Sequence, residues 1–243
     1  MKKLLLIMLF VTSVCANDTD FPDSISDEFE VTNEDFDPLS GYNRVMTSFN
    51  DGFYTYVLTP TSKGYAYIVP EVARTGIDNF FTNLMFPIRF VNNLLQFKFE
   101  NASKELGRFL VNTIWGFGGF MDQATNTLEM KIYHEDFGQT LAYWGVGEGF
   151  HVVLPFLGPS NLRDMFGLTA DAIVSPTSYL AHNAVEYKIP QNDLQDVGIN
   201  TLMKVNAYSF NPDFYEIIKK DALDLYPYLK NAYNQKREKE IRE

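Results

Sequence analysis

The chain lacks much of what common enzyme classes need. One cysteine in 243 residues, Cys15, excludes an internal disulfide framework and any CxxC metal or redox site. The three histidines, His134, His151 and His182, are too dispersed for an HExxH-type site. No metal and no cofactor is therefore expected. Basic residues are outnumbered, 20 Lys and Arg against 31 Asp and Glu. The resulting net charge of −11 argues against sequence-independent nucleic-acid binding, which needs clustered cations to neutralise phosphates. Beyond the N-terminus no run reaches the ~18 uninterrupted apolar residues of a spanning helix. What the chain does have is aromatic side chains, 21 Phe, 14 Tyr and 2 Trp, in a composition that is 46% hydrophobic. That is too apolar for a disordered protein.

Residues 1–16 read as an export signal: Lys2 and Lys3 precede an apolar run from Leu4 to Phe10 that fades by Val14. Two cleavages compete. Thr12-Ser13-Val14-Cys15 loosely resembles a lipobox, in which Cys15 would carry a lipid anchor. Val14 is branched where a small residue is usual, so cutting after Ala16 by an ordinary signal peptidase is favoured. Without Lys2 and Lys3 the balance becomes 18 basic to 31 acidic residues. Nine of those acids lie between Asn17 and Asp37, with no Lys or Arg among them. Self-repulsion predicts a solvated tether over 17–37. From Pro38 onward the balance is 18 to 22, almost neutral.

The rest reads as mainly helical. Val45, Phe49, Phe53 and Val57 recur every four residues and predict a short amphipathic helix ending near Pro60. Glu71 to Phe99 predicts a second helix, kinked at Pro87 and apolar almost all round. Its exception is one stripe: Thr82, Arg89, Asn93 and Gln96 align at 100° per residue, with Asn92 at the edge. Such a helix must be buried on most sides, by protein or by lipid. Gly116, Gly118 and Gly119 then punctuate a Phe-rich stretch and predict a hinge or a tight helix crossing. Thr140–Trp144 and Phe150–Leu154 predict a β-hairpin around Gly145–Gly149, and Pro159-Ser160 predicts a helix start with Ser160 as N-cap. Leu194, Val197, Leu202 and Val205 line a further helix. Phe214 to Leu229 predicts a last one, bent at Pro227, followed by a solvated mixed-charge tail from Lys236.

Catalytic patterns are weak. Gly158-Pro159-Ser160-Asn161-Leu162 starts like a nucleophile elbow, but Leu162 stands where the final glycine belongs. Ser160, Asp171 and His182 occur in hydrolase order at a spacing short for a sheet-based enzyme. Glu135-Asp136 suits capping or solvation better than acid/base work. No catalytic residue is assigned.

Specific strings carry more. Asp37-Pro38-Leu39-Ser40-Gly41-Tyr42-Asn43-Arg44 with Phe49-Asn50, then Arg74-Thr75-Gly76-Ile77-Asp78-Asn79-Phe80 and Arg108-Phe109-Leu110-Val111-Asn112-Thr113, stand in order. Asp136-Phe137-Gly138-Gln139-Thr140-Leu141, Gly145-Val146-Gly147, Leu154-Pro155 and Gly158-Pro159-Ser160 through Arg163-Asp164 follow. Together these blocks, from about Asp37 to Asp171, resemble the MlaA (VacJ) family of outer-membrane phospholipid-transport lipoproteins.

The resemblance implies a mainly α fold: a ring-like assembly of amphipathic helices with one short β-hairpin, embedded in the periplasmic leaflet of the outer membrane. It further implies association with a trimeric porin and transfer of mislocalised phospholipid to a periplasmic carrier, MlaC. On that footing Thr82, Arg89, Asn93 and Gln96 would line the lipid path. Gly116, Gly118 and Gly119 would form a hinge beside it. The organisation expected is a signal at 1–16, a tether at 17–37, a helical domain at 38–210 and a C-terminal helix and tail at 211–243. The competing reading is a soluble periplasmic scaffold or lipid-binding module whose Phe-rich helices are ordinary core.

Overall fold

The computed structural model describes residues 37–181, 183 and 187–242. Cys15, the cleavage sites, the tether as far as Phe36, and His182 lie outside the described residues.

The first helical rod runs well past Pro60. Helix α1 (Ser40–Phe53) passes through a π-helical turn (Tyr54–Leu58) directly into α2 (Thr59–Ile68). The wider turn makes room for the pyrrolidine ring, which in a regular helix would strike the carbonyl four residues back. The Glu71–Phe99 region is two helices rather than one kinked helix: α3 (Glu71–Leu84) and α4 (Phe86–Leu95), divided at Met85. Pro87 sits in the first turn of α4, where a missing N–H costs nothing. Helix α5 (Phe99–Ile114) returns alongside α4, and the short α6 (Gln123–Asn126) is capped by Asp122.

The hairpin is displaced from its expected position. Thr140–Trp144 is not a strand: Phe137–Tyr143 forms α7. Asp136 and Gln139 make a reciprocal capping box at its start. At its end Gly145, at φ +83°, and Val146 bond back to Ala142 and Leu141 in a Schellman motif. These local signals outweigh the β-propensity of Thr140 and Tyr143. The strands are β1 (His151–Leu154) and β2 (Gly158–Asn161), antiparallel, with Val152 opposite Ser160. Pro159 and Ser160 thus lie in a strand, and Asn161 caps the next helix by accepting from the Asp164 N–H.

That helix, α8 (Leu162–Val174), crosses α7 where Gly167 faces Gly138; a Cβ on Gly167 would lie 2.5 Å from the Gly138 nitrogen. Helix α9 (Asp193–Tyr208) follows as expected. The last predicted helix is two, α10 (Phe214–Asp221) and α11 (Leu225–Arg242), separated before Pro227, which sits in the first turn of α11. The tail is not wholly solvated either. Arg237 is buried because it pairs with Asp136 and Asp164.

Candidate functional site

The helices are amphipathic in reverse. On α1 the buried residues are Asn43, Thr47 and Asn50, while Val45 and Phe49 are exposed. On α5 they are Ala102, Glu105, Arg108 and Asn112, while Leu106, Leu110 and Ile114 face out. On α9 Asp196, Asn200 and Asn206 are buried beside Met203 and Val205, while Leu194, Val197 and Leu202 are exposed. Among the described residues 31 polar or charged side chains are buried against 14 hydrophobic ones. The apolar core is correspondingly small. One cluster is Val152, Leu154 and Leu168, and another is Met85, Ile88 and Met203.

Buried polar groups must be paired, and most of these are. The Arg89 Nε donates to Glu105 at 2.7 Å, and an Arg89 terminal nitrogen donates to the Thr82 carbonyl at 2.9 Å. The other Glu105 oxygen accepts from the Tyr133 N–H at 2.7 Å, fixing the extended segment that follows α6. Gln96 donates to Glu135 at 2.7 Å and to Thr140 at 3.2 Å, and Lys98 pairs with the same Glu135. Thr140 donates to Asn92, whose amide donates to Asp171 at 2.8 Å; Asp171 also accepts from the Phe137 N–H. Burial, and then the charge of Asp136, push the Asp171 carboxyl well above the usual range.

At the far end Arg237 bridges Asp136 and Asp164 at 2.6–3.1 Å, and Tyr233 and Arg163 also bond Asp164. Burial raises the Asp164 pKa, but Arg237, with Tyr233 and Arg163, outweighs it and holds the carboxyl low. Gly138 leaves the space through which these groups pass; a Cβ there would collide with the Arg237 guanidinium and Asp164.

The structure turns three members of the predicted stripe into the protein interior, while Thr82, on α3, is half-buried. Arg89, Asn93 and Gln96 are buried, and Asn93, fully enclosed, donates to the Arg89 carbonyl at 2.9 Å and leaves its own oxygen without a partner. The glycines form a separate element at the end of α5. Phe117, Gly118 and Gly119 have φ of +55°, +72° and +98°. A Cβ on Gly119 would lie 2.8 Å from Asn83, and one on Gly116 would collide with the Met121 and Asn112 carbonyls, whereas Gly118 faces open space. Asp122, below this turn, ties Arg108 and Asn112 together. The exposed aromatics gather beside these turns: Trp115, Phe117 and Phe120 after α5, and Phe97, Phe99, Tyr143 and Trp144 where α4, α5 and α7 meet.

Sequence reasoning missed the buried faces of α1, α5 and α9, although the spacing of Asn43, Thr47 and Asn50 could have revealed the first. Ser160 and Asp171 do not form a catalytic pair; Asp171 is committed to Asn92 and α7. Among the described residues no group of three His, Cys, Asp or Glu is placed to hold a metal. No helix among them is long and apolar enough to cross a membrane.

Comparison with known proteins places this architecture. The family model described as MlaA lipoprotein matches residues 35–240. The protein named intermembrane phospholipid transport system lipoprotein MlaA of Escherichia coli K12 is 40% identical over 147 residues, 59% of each chain. Its namesake in Haemophilus influenzae is 34% identical over 160 residues, 65% of this chain and 61% of that one. An uncharacterized protein of Rickettsia typhi is 29% identical over 209 residues, 86% of this chain and 79% of its own. A chain solved for the structural basis of maintenance of bacterial outer membrane lipid asymmetry superposes with a TM-score of 0.69 at 29% identity, over 84% of this chain and 98% of that one.

Proposed function

Because the chain belongs to the MlaA lipoprotein family, we propose that it is a passive phospholipid conduit seated in the periplasmic leaflet of the outer membrane. On this reading it removes phospholipid misplaced in the outer leaflet and passes it to the periplasmic carrier MlaC, working beside a trimeric porin. Export through residues 1–16, with cleavage after Ala16 or acylation at Cys15, belongs to the same proposal.

The observation that carries it is the reversed amphipathicity of α1, α5 and α9. In water such helices would expose apolar faces large enough to aggregate. In hydrocarbon the same arrangement satisfies the polar groups internally and leaves Leu106, Leu110 and Ile114 solvated by acyl chains. A headgroup crossing hydrocarbon unaided loses its hydration at high cost. A protein with a polar interior inside an apolar exterior lowers that barrier without chemistry or an energy source, so direction comes from its partners.

Thr82, Arg89, Asn93 and Gln96 then form the fixed polar backing of the path, behind the surface a lipid touches. Gly116, Gly118 and Gly119 form the movable element beside it. A soluble scaffold would instead be expected to bury its Leu and Phe faces. Outer-leaflet phospholipid in cells lacking the gene provides the test. It should rise and return to normal when the full chain is restored; an unchanged level would overturn the proposal.

A further inference from the structure

Asp196 and Asn200 stand one turn apart on the buried face of α9. The Asn200 amide donates to Asp196 Oδ1 at 2.7 Å. The remaining oxygen of each, Asp196 Oδ2 and Asn200 Oδ1, has no partner among the described residues. Buried acceptors are nearly always paired, so two orphans on side chains that already touch need an explanation. An ionised carboxylate can only accept and does nothing for the amide oxygen, whereas a protonated one gains an O–H donor. A single proton on Asp196 Oδ2 serves both atoms. With the existing N–H bond it closes an acid–amide ring of two hydrogen bonds.

The surroundings favour that proton. Burial pushes the Asp196 carboxyl up to about 7, and Asp193, just before it on α9, adds to the effect; the Asn200 amide, the Tyr179 N–H and Lys188 act against it. Lys188, itself buried, donates to the Ala172 carbonyl at 2.8 Å and so closes the C-terminal end of α8. Burial lowers its ammonium to about 8, against the pull of Asp196. Around α9 the other charges are engaged: Lys63 on α2 by Asp213, Arg74 on α3 by Ser209, Arg89 on α4 by Glu105, and Asp171 on α8 by Asn92. On α3, Glu71 is exposed, and burial raises the Asp78 carboxyl. Lys188 is the cation that answers Asp196.

We propose that Asp196 is a proton switch: protonated, it locks onto Asn200 within α9; deprotonated, it turns to Lys188 and loosens the start of the helix. The proton is taken up from solvent onto Oδ2 and returned there, and no covalent bond of the chain changes. Helix α9 packs on α2 and α3, and its Met203 joins Met85 and Ile88 where α3 meets α4. The switch therefore bears on the helices that carry the buried polar stripe, and it stands independently of the phospholipid reading. Its sign is definite. Folded Asp196 keeps a proton that the unfolded chain has lost, so its contribution is full below the ordinary carboxylate value and is lost as pH rises through about 7. Lys188 acts in the opposite sense, the cost of its buried charge being relieved above about 8.

The test compares the full chain in detergent micelles with Asp196→Asn, in which an amide N–H can stand where the acid O–H would. The variant should melt above the native chain at pH 8, and its advantage should shrink as the pH is lowered to 5. Infrared difference spectra at pH 5 should show a protonated-carboxyl band, shifted in D2O, that the native chain has and the variant lacks; the subtraction removes the remaining carboxyls, Asp171 included. Amide exchange in the first two turns of α9, corrected for the intrinsic effect of pH, should quicken by about threefold or more from pH 6 to 8 in the native chain and stay constant in the variant. Lys188→Met should move the loss of the band to higher pH. A water trapped between the two oxygens, with Asp196 ionised, gives the reverse: no band lost, and a variant less stable than the native chain at every pH. Either result, or native exchange that ignores pH, would overturn the switch.

Discussion

Asn43 and Asn50, two turns apart on α1, together stand in for a missing third strand. The Asn43 amide accepts from the Val153 N–H at 2.8 Å and donates to the His151 carbonyl at 3.0 Å. Asn50 does the same for the Phe156 N–H, at 2.6 Å, and the Leu154 carbonyl, at 2.9 Å. Two side chains thereby satisfy the open edge of β1, which a helix backbone could not do, and they explain why a buried helical face carries asparagine. Asn43→Leu would leave a buried N–H and a buried carbonyl without partners. Denaturation in micelles should show a loss of about 2–4 kcal/mol, and a loss under 1 kcal/mol would contradict this role.

Arg237 holds α11 to α7 and α8 by charge. Replacing it with Met leaves Asp136 and Asp164 close and uncompensated, and stability should drop by about 3–5 kcal/mol at pH 7. The pH dependence contributed by this cluster should also change. In the native chain Asp164 is held low, so its contribution is present above the ordinary carboxylate value and lost only as pH falls through the depressed one. In Arg237→Met the carboxylates repel, so the Tm deficit relative to the native chain should shrink as the pH is lowered from 7 towards 5. A deficit that grows over that range would refute the clamp.

The glycines divide by geometry. Gly116→Ala places a methyl against two carbonyls and should prevent accumulation of folded protein. Gly118→Ala meets nothing, and carries only the left-handed backbone penalty of about 1–2 kcal/mol. It is therefore the variant that tests the proposed hinge: folded, abundant and altered in outer-leaflet phospholipid. Wild-type lipid asymmetry at normal abundance would remove the hinge from the account.

Asn93→Leu separates backing from contact surface. Asn93 is fully enclosed, so the change should shift Tm and leave lipid transfer to a carrier near the wild-type rate. A slowed transfer with unchanged Tm would place Asn93 at the lipid instead.

The sequence made the helical class, the helix start at Glu71, and β1 legible, because each follows from local spacing and from Gly or Pro. The strings, in their order along the chain, pointed to the family that the comparisons bear out. Which side of each helix faces inward was harder to read. Val45, Phe49 and Val57 mark one face of the first rod equally well whether that face meets core or lipid, and periodicity alone carries no sign. The hairpin was misplaced because Thr140–Trp144 has strand-like residues inside a helix fixed at both ends by Asp136 and Gly145. The role of Arg237 was invisible, since a mixed-charge tail looks solvated until Asp136 and Asp164, about 100 and 70 residues away, are brought beneath it.

The most direct test of the central claim uses the two native tryptophans, Trp115 and Trp144, 69% and 53% exposed on the apolar side. With the full chain reconstituted in vesicles, phospholipids brominated along their acyl chains should quench most of the tryptophan emission, and aqueous acrylamide little of it. Strong acrylamide quenching with no effect of brominated lipid would mean that the apolar face does not meet hydrocarbon, and the conduit reading would fall.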